Sequence, residues 1–198
     1  MSEGKNLLLV GVGGQGILLA SEVISQAAMM QGFDVKKSEV HGMAQRGGIV
    51  SSHVRYAERV FSPLISKGSA DIILSFEKAE SYRWLEYLSA DGEIVTATTE
   101  IIPPILHTLG NQYPHDILDR MRAQNLKVLA IDAASAAERL GNVRAMNIVL
   151  LGAISPKLDF TEKTWKDAIR SRVPKKHLEL NLKAFDEGRA LARGAGQA

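Results

Sequence analysis

The sequence of 198 residues contains no cysteine. Without thiolates the chain cannot form disulfides, ligate an iron–sulfur cluster through cysteine, or build a cysteine-based zinc site. It also has little net charge, because 24 Lys and Arg face 22 Asp and Glu. This balance favours neither nucleic acid nor a membrane surface as a partner. The amino terminus carries only a short apolar run before the first glycines, so we expect a cytoplasmic protein without a signal or spanning helix.

Several well-known catalytic patterns are missing as well. The sequence has no G-x-S-x-G elbow, no Walker lysine after its glycines and no carboxylate pair of distinctive spacing. Its five histidines show no H-x-x-x-H or H-x-x-E-H spacing; they are His41, His53, His107, His115 and His177. A self-contained hydrolase, a P-loop kinase and a metal site on one helix are therefore not supported, and we assign no catalytic residue.

Short apolar runs alternate with helix-compatible stretches through about residue 140. The predicted strands are 6–10, 33–37, 49–56, 71–76, 92–98 and 127–131, and the predicted helices in this part are 17–30, 78–88 and 115–124. This alternation predicts a three-layer α/β fold with a Rossmann-like start, a mostly parallel or mixed sheet, and helices on both faces. Residues 49–56 alternate, so the face with Ser51, His53 and Arg55 is expected to look outward or into a cleft.

Helical patterns dominate the rest of the chain. An apolar run over 144–154 predicts a buried helix, Thr161 is placed to cap a helix reaching Arg172, and an amphipathic helix is predicted over 177–191. No repeat or linker divides the sequence. We predict a single domain over 1–198, with 157–191 as a C-terminal helical extension.

A glycine-rich segment connects the first predicted strand to the first helix. Gly11, Gly13, Gly14 and Gly16 follow the G-x-G-x-x-G spacing, with Gln15 before the last glycine. Such a turn can bring the backbone close to a ligand and direct N–H groups at an anion over a helix N-terminus. It can equally be a close-packed turn without a ligand, and the spacing alone leaves both interpretations open.

A dinucleotide site would also need an acidic residue near the end of the second strand, to bind the ribose. Asp34 comes too early in that strand and Glu39 rather late, while Lys36 and Lys37 occupy the usual place. This pattern weakens the case for NAD. The lysines could suit a 2′-phosphate, although solvated residues at a strand edge are the favoured interpretation.

The segment EVHGMAQRGG, residues 39–48, has no regular period and is predicted to be a loop. Loops of this kind often carry binding residues. The candidates within it are His41, Gln45, Arg46, Gly47 and Gly48. The Arg46 guanidinium could bind a carboxylate or phosphate through two N–H groups, which a lysine cannot do. The alternative is a surface loop with a solvated arginine.

Four segments together resemble one family. They are VGVGGQGI, SEVHGMAQRGG running into SHVR, SPLISKGSADIILSFEKAE, and GNVRAMNIVLLGAIS. In this order they are similar to the gamma-type domain of 2-oxoacid:ferredoxin oxidoreductases, over roughly residues 5–156. The loop EVHGMAQRGG most resembles the members that oxidise indolepyruvate, and it is more specific than the glycine spacing.

The resemblance implies a division of labour. Thiamine diphosphate and the iron–sulfur clusters belong to a large partner subunit, so this chain binds no cofactor alone and is inactive in isolation. The implied reaction converts an aryl 2-oxoacid such as indolepyruvate, with coenzyme A, to an acyl-CoA and carbon dioxide while ferredoxin is reduced. The glycine turn and residues 45–48 would then form either one wall of the active site at the subunit boundary or a docking surface. The other hypotheses are a stand-alone NAD(P)-binding protein and a regulatory nucleotide-binding module.

Overall fold

The computed structural model describes residues 4–41, 48–102 and 112–195. Six strands lie within these ranges: β1 (Lys5–Val12), β2 (Asp34–His41), β3 (Ile49–Ala57), β4 (Ala70–Ser75), β5 (Leu88–Ala97) and β6 (Lys127–Ile131). The α-helices of the same ranges are α1 (Ile17–Met30), α2 (Lys78–Arg83), α3 (Ile117–Ala123), α4 (Ala133–Arg139), α5 (Met146–Ile154), α6 (Glu162–Arg172) and α7 (Leu178–Ala195). None of these helices is both long enough and apolar enough to cross a bilayer.

The strands form one mixed sheet in the order β2-β3-β1-β4-β5-β6. β1, β4, β5 and β6 pair in parallel, whereas β3 runs antiparallel to both of its neighbours, β1 and β2. The predicted α/β fold with a mostly parallel or mixed sheet is therefore confirmed. The position of β3 between β1 and β2 is the feature that departs most from a Rossmann start.

Helices cover the sheet on both faces, as predicted. On one face α1, α4, α5, α6 and α7 enclose the larger apolar core, in which Trp165 of α6 and Phe185 of α7 are fully buried. On the other face α2 and α3 contribute to a smaller core around Ile73, Ile94 and Met121. The division of the chain into a domain with an extension stays a prediction, although α6 and α7 bury their apolar faces in the same core as α1.

α5 and α7 approach each other through two glycines. A Cβ on Gly188 of α7 would lie 1.9 Å from the carbonyl oxygen of Val149 in α5, and one on Gly152 of α5 would lie 2.1 Å from the carbonyl oxygen of Phe185. Both distances are far below van der Waals contact with backbone atoms. The two helix axes can therefore be this close only because neither position carries a side chain.

Three local predictions were wrong. β2 extends to His41, so Glu39, Val40 and His41 belong to a strand and not to the start of a loop. The helix predicted over 78–88 ends at Arg83, and a 3₁₀ turn over Leu85–Tyr87 leads into β5. The polar face of β3 is also buried, because the exposed fractions of Ser51 and His53 are only 2% and 5%. Long-range contacts, which sequence periodicity does not report, decide all three: strand pairing extends β2 to His41 and starts β5 at Leu88, and the loop of residues 58–69 packs on His53.

Candidate functional site

The candidate site lies at the carboxyl edge of the parallel strands. The glycine turn, residues 11–16, follows β1 at this edge, and Phe76, Glu77 and Lys78 follow β4 beside it. From β1 the chain crosses to β2 on one side of the sheet, while β4 lies on the other side. In open α/β sheets ligands bind in the crevice at such a switch point, so the gap between β1 and β4 is the position where this fold would hold a ligand.

Gln15 fills this gap with its side-chain amide. Its Oε1 accepts a hydrogen bond from the backbone N–H of Val12 at 2.7 Å, and its Nε2 donates to the carbonyl oxygen of Phe76 at 2.6 Å. Gly11 makes room for this arrangement, since a Cβ there would lie 2.7 Å from Gln15 Oε1. The crevice that would hold a dinucleotide pyrophosphate is thus bridged by the protein itself.

The last glycines of the turn serve backbone conformation and packing. Gly14 and Gly16 have φ angles of 99° and 79°, in the left-handed region that other residues avoid. At Gly16 a Cβ would also lie 2.5 Å from Asn147 Nδ2 of α5, and this amide donates to the Gly16 carbonyl oxygen at 3.2 Å. These contacts favour the interpretation as a close-packed turn over that of a dinucleotide site.

The ribose-binding position of a dinucleotide fold is also lost. β2 is separated from β1 by β3, so the end of β2 lies about 10 Å from the glycine turn rather than beside it. Lys36 pairs with Asp34 at 2.6 Å, and Lys37 pairs with Glu39 at 2.8 Å. The two lysines are engaged within their own strand, as expected for residues at a strand edge.

Both ends of the predicted binding loop lie at the same edge as the glycine turn. Gly13 donates its N–H to the carbonyl oxygen of Gly48 at 2.9 Å. His41 ends β2 opposite Val50 of β3. The remaining candidates Gln45, Arg46 and Gly47 lie outside the described residues, so their role as binding residues stays a prediction. The sheet therefore brings Gly48 and the glycine turn together.

A buried cluster beside the turn was missed by sequence reasoning. The Glu77 side chain, 1% exposed, caps α2 by accepting from the N–H of Glu80 at 2.9 Å. It also accepts from the N–H of Ile101 at 3.2 Å and from the Tyr113 hydroxyl. Burial, followed by the hydrogen bond to Glu77, raises the pKa of Tyr113 well above its usual range. Glu77 thus ties together the residues on both sides of the undescribed segment 103–111.

Lys78 also connects residues on both sides of the segment 103–111. Its ammonium donates to the Glu100 carboxylate and, at 2.9 Å, to the carbonyl oxygen of His115. His115 Nδ1 lies 2.7 Å from the other oxygen of Glu100. The hydrogen bond from Lys78 holds the pKa of Glu100 below its usual value. A signal for this cluster was present, because Glu77 and Lys78 follow a buried strand directly at its carboxyl end.

The arrangement limits what this edge can do chemically. Each buried charged group just described is already bonded within the protein, so none is poised as a nucleophile or general base. Among the described residues no three His, Asp or Glu side chains are grouped so that they could hold a metal ion. The edge consists instead of closely packed glycines and of polar side chains that are hydrogen-bonded to one another or to the backbone.

Comparison with known proteins identifies the family. The model of the pyruvate ferredoxin/flavodoxin oxidoreductase family matches residues 6–191, which is nearly the whole chain. The chain belongs to this family. The resemblance seen in the sequence is thereby confirmed.

Two archaeal relatives match almost end to end. The indolepyruvate oxidoreductase subunit IorB of Thermococcus kodakarensis is 39% identical over 189 residues, covering 92% of this chain and 93% of the relative. The IorB subunit of Pyrococcus horikoshii is 40% identical with the same coverage. The chain is thus similar over 92% of its length to indolepyruvate oxidoreductase subunits.

Solved structures share the fold. The gamma subunit of a keto/oxoacid ferredoxin oxidoreductase from Geobacter sulfurreducens superposes with a TM-score of 0.72 at 24% identity, covering 96% of this chain and 99% of that chain. A 2-oxoglutarate:ferredoxin oxidoreductase chain from Magnetococcus marinus has a TM-score of 0.75 at 21% identity, covering 98% of this chain and only 32% of that chain. In the second protein the same fold is about one third of a longer polypeptide.

Proposed function

We propose that this chain is the small subunit of an indolepyruvate:ferredoxin oxidoreductase that forms arylacetyl-CoA. The observation that carries the proposal is the identity of 39% and 40% to two IorB subunits over nearly the whole of each chain. A large partner subunit then carries out the chemistry on the 2-oxoacid. Cytoplasmic location is part of the same proposal.

We assign the cofactors to the partner because of the side chains that this chain offers as ligands. A chain without cysteine offers no thiolate for iron–sulfur clusters, and the cluster at the carboxyl edge has no unpaired charged group for thiamine diphosphate. When bound by the partner, thiamine diphosphate supplies the carbanion chemistry of decarboxylation. This chain would contribute surface, orientation and exclusion of water, and no catalytic residue is assigned to it.

The carboxyl edge is the part of the chain proposed to face the partner's active site. The glycine turn is held by Gln15 and Asn147, and Gly13 fixes the end of the loop at Gly48. A rigid base of this kind suits a loop that must present His41, Gln45 and Arg46 to a substrate carboxylate or to coenzyme A phosphates.

Co-expression with the large subunit tests the proposal. We expect the chain alone neither to oxidise any 2-oxoacid nor to bind NAD(P) tightly, because the crevice between β1 and β4 is bridged by Gln15. The assembled pair should reduce viologen or ferredoxin with indolepyruvate and coenzyme A. Robust activity of the isolated chain, or micromolar NAD(P) binding by calorimetry, would contradict the proposal and favour the stand-alone nucleotide-binding alternative.

A second expectation concerns the loop. Arg46→Ala should lower the turnover of the assembled complex about tenfold or more, the effect of losing a charge-assisted hydrogen bond, with little change in melting temperature. Arg122→Ala is the matched control, since Arg122 pairs with the exposed Asp119 on the surface of α3. Steady-state kinetics and thermal melts of both variants decide the matter. Equal kinetics for the two variants would show that Arg46 is a solvated surface residue.

A further inference from the structure

One face of the β2–β3 hairpin is covered by a loop rather than by a helix. On the side of the smaller core α2 packs against β1, β4 and β5, and α3 packs against β6. The loop of residues 58–69 lies on this side of the hairpin, because it contacts the side chains of His53 and Arg55, which point to the same face of β3. Its outer surface therefore takes the place of a covering helix.

This loop is held in a fixed conformation by the two strands beneath it. Arg55 donates to the carbonyl oxygens of Ser62 and Leu64 at 2.9 and 3.1 Å. His53 Nδ1 accepts from the N–H of Ile65 at 3.2 Å. Asp34 accepts from the N–H of Val60 at 2.9 Å. The buried side chains of Val60 and Ile65 anchor the loop on either side of its tip.

Between these anchors the loop presents apolar side chains to solvent. Phe61 is 84% exposed and Leu64 is 55% exposed. Two further apolar residues lie on the same face: Val40, opposite Ser51 and 53% exposed, and Ile49, two residues before Ser51 and 37% exposed. Thus four of the nine large hydrophobic side chains that are exposed in the described residues lie on one face of one hairpin.

We propose that this face, called here the hairpin face and defined by Val40, Ile49, Phe61 and Leu64, docks the large cofactor-carrying subunit. Phe61 is its anchor. An aromatic side chain displayed from a preordered backbone loses little conformational freedom on binding, which is typical of residues that dominate interface energies. The proposal rests on the proposed function and adds the surface through which the two chains meet.

The identity of the occupant follows from two observations. The hairpin face is continuous with the candidate site, since Ile49 follows Gly48, which is bonded to the glycine turn, and Val40 precedes His41. Among relatives the same fold also occurs as part of much longer chains: it covers 36% of the ketoisovalerate oxidoreductase subunit VorA of Methanothermobacter marburgensis and 32% of the Magnetococcus chain. In those longer chains the fold is covalently joined to the rest of the polypeptide. A separate chain such as this one needs a non-covalent surface to bind a large subunit.

The test measures the affinity between this full-length chain and the purified large subunit, by biolayer interferometry. We expect Phe61→Asp to weaken binding at least tenfold and Val40→Asp to weaken it in the same direction, because each places a charge in an apolar interface. Met30→Asp is the matched control: Met30 is 45% exposed at the end of α1, away from the hairpin face. It should change the affinity by less than twofold. Thermal melts of the isolated variants check that Phe61→Asp leaves the fold intact.

Three results would overturn the hairpin face as the docking surface. Both substitutions could leave the affinity unchanged, Met30→Asp could weaken binding as much as Phe61→Asp, or Phe61→Asp could dissociate a dimer of this chain without affecting the large subunit. If the wild-type chains associate and show activity while one of these results is found, only the docking surface is wrong. If the wild-type chains do not associate at all, the proposed function fails as well.

Discussion

Replacing Gly188 by alanine is expected to lower the free energy of unfolding by about 3 kcal/mol. The new methyl group would lie 1.9 Å from the carbonyl oxygen of Val149 and 2.8 Å from its carbonyl carbon. Backbone atoms cannot rotate away as a side chain could, so α5 and α7 would have to separate and their shared core would loosen. For a chain of this length the melting temperature should fall by about 6–12 °C.

Gly194→Ala provides the matched control for this substitution. Gly194 lies in the same helix, and a Cβ at that position would have no neighbour within 4 Å. At this position alanine should be neutral or slightly stabilising, because alanine has a higher helix propensity than glycine. Denaturant titration of both variants separates the two effects. Equal stabilities would mean that α5 and α7 can move apart at little cost.

Glu77→Ala should have an effect of similar size by another mechanism. It removes the acceptor of three hydrogen bonds, from Glu80, Ile101 and Tyr113, in a place where the side chain is 1% exposed. Donors left unsatisfied in a buried site, together with a lost helix cap, cost about 3 kcal/mol or more. Hydrogen exchange at Ile101 should accelerate more than exchange in α1, because the tie to the residues before position 103 is lost.

Two further variants provide smaller expected losses of stability with which Glu77→Ala can be compared. Tyr113→Phe removes one donor to Glu77 and the acceptor of the Ala79 N–H at 3.1 Å, and should cost about 1–2 kcal/mol. Glu86→Ala removes a carboxylate that is 55% exposed and pairs with Lys67 on the surface, so its effect should stay within about 0.5 kcal/mol. If Glu77→Ala were as mild as Glu86→Ala, the Glu77 cluster would not hold this edge together.

Local sequence signals correctly predicted those elements whose ends are marked by glycines or by a capping residue. The bounds of α1 and β6 agree with the predicted 17–30 and 127–131. α1 starts directly after the glycine turn and stops just before Gly32, which has a φ of 85°. The N–H of Thr164 donates to the hydroxyl oxygen of Thr161, which likewise confirms the predicted cap of α6. In each case the residues that determine the boundary lie within a few positions of it.

Long-range contacts explain what the sequence could not predict. Nothing in the alternation over 49–56 indicates that β3 inserts between β1 and β2, or that the loop of residues 58–69 buries His53. The same holds for the site. The glycine turn was predicted correctly, but its meaning depends on Gln15 reaching Phe76, 61 residues away. A dinucleotide-binding site requires β2 to lie directly beside β1. In this sheet β3 lies between them.

The β2–β3 ladder has a mechanical consequence. Eight residue pairs, from Asp34 opposite Ala57 to His41 opposite Val50, form a ladder about 27 Å long, and β3 also pairs with β1 along its length. One end holds the Phe61 loop through Asp34 and Arg55, and the other holds Gly48 against the glycine turn. A partner bound across the proposed hairpin face would contact both ends of this strand pair, Phe61 and Leu64 at one end and Val40 and Ile49 at the other. Under that proposal, binding of the partner and the position of Gly48 beside the glycine turn would be thermodynamically linked through the β2–β3 pair.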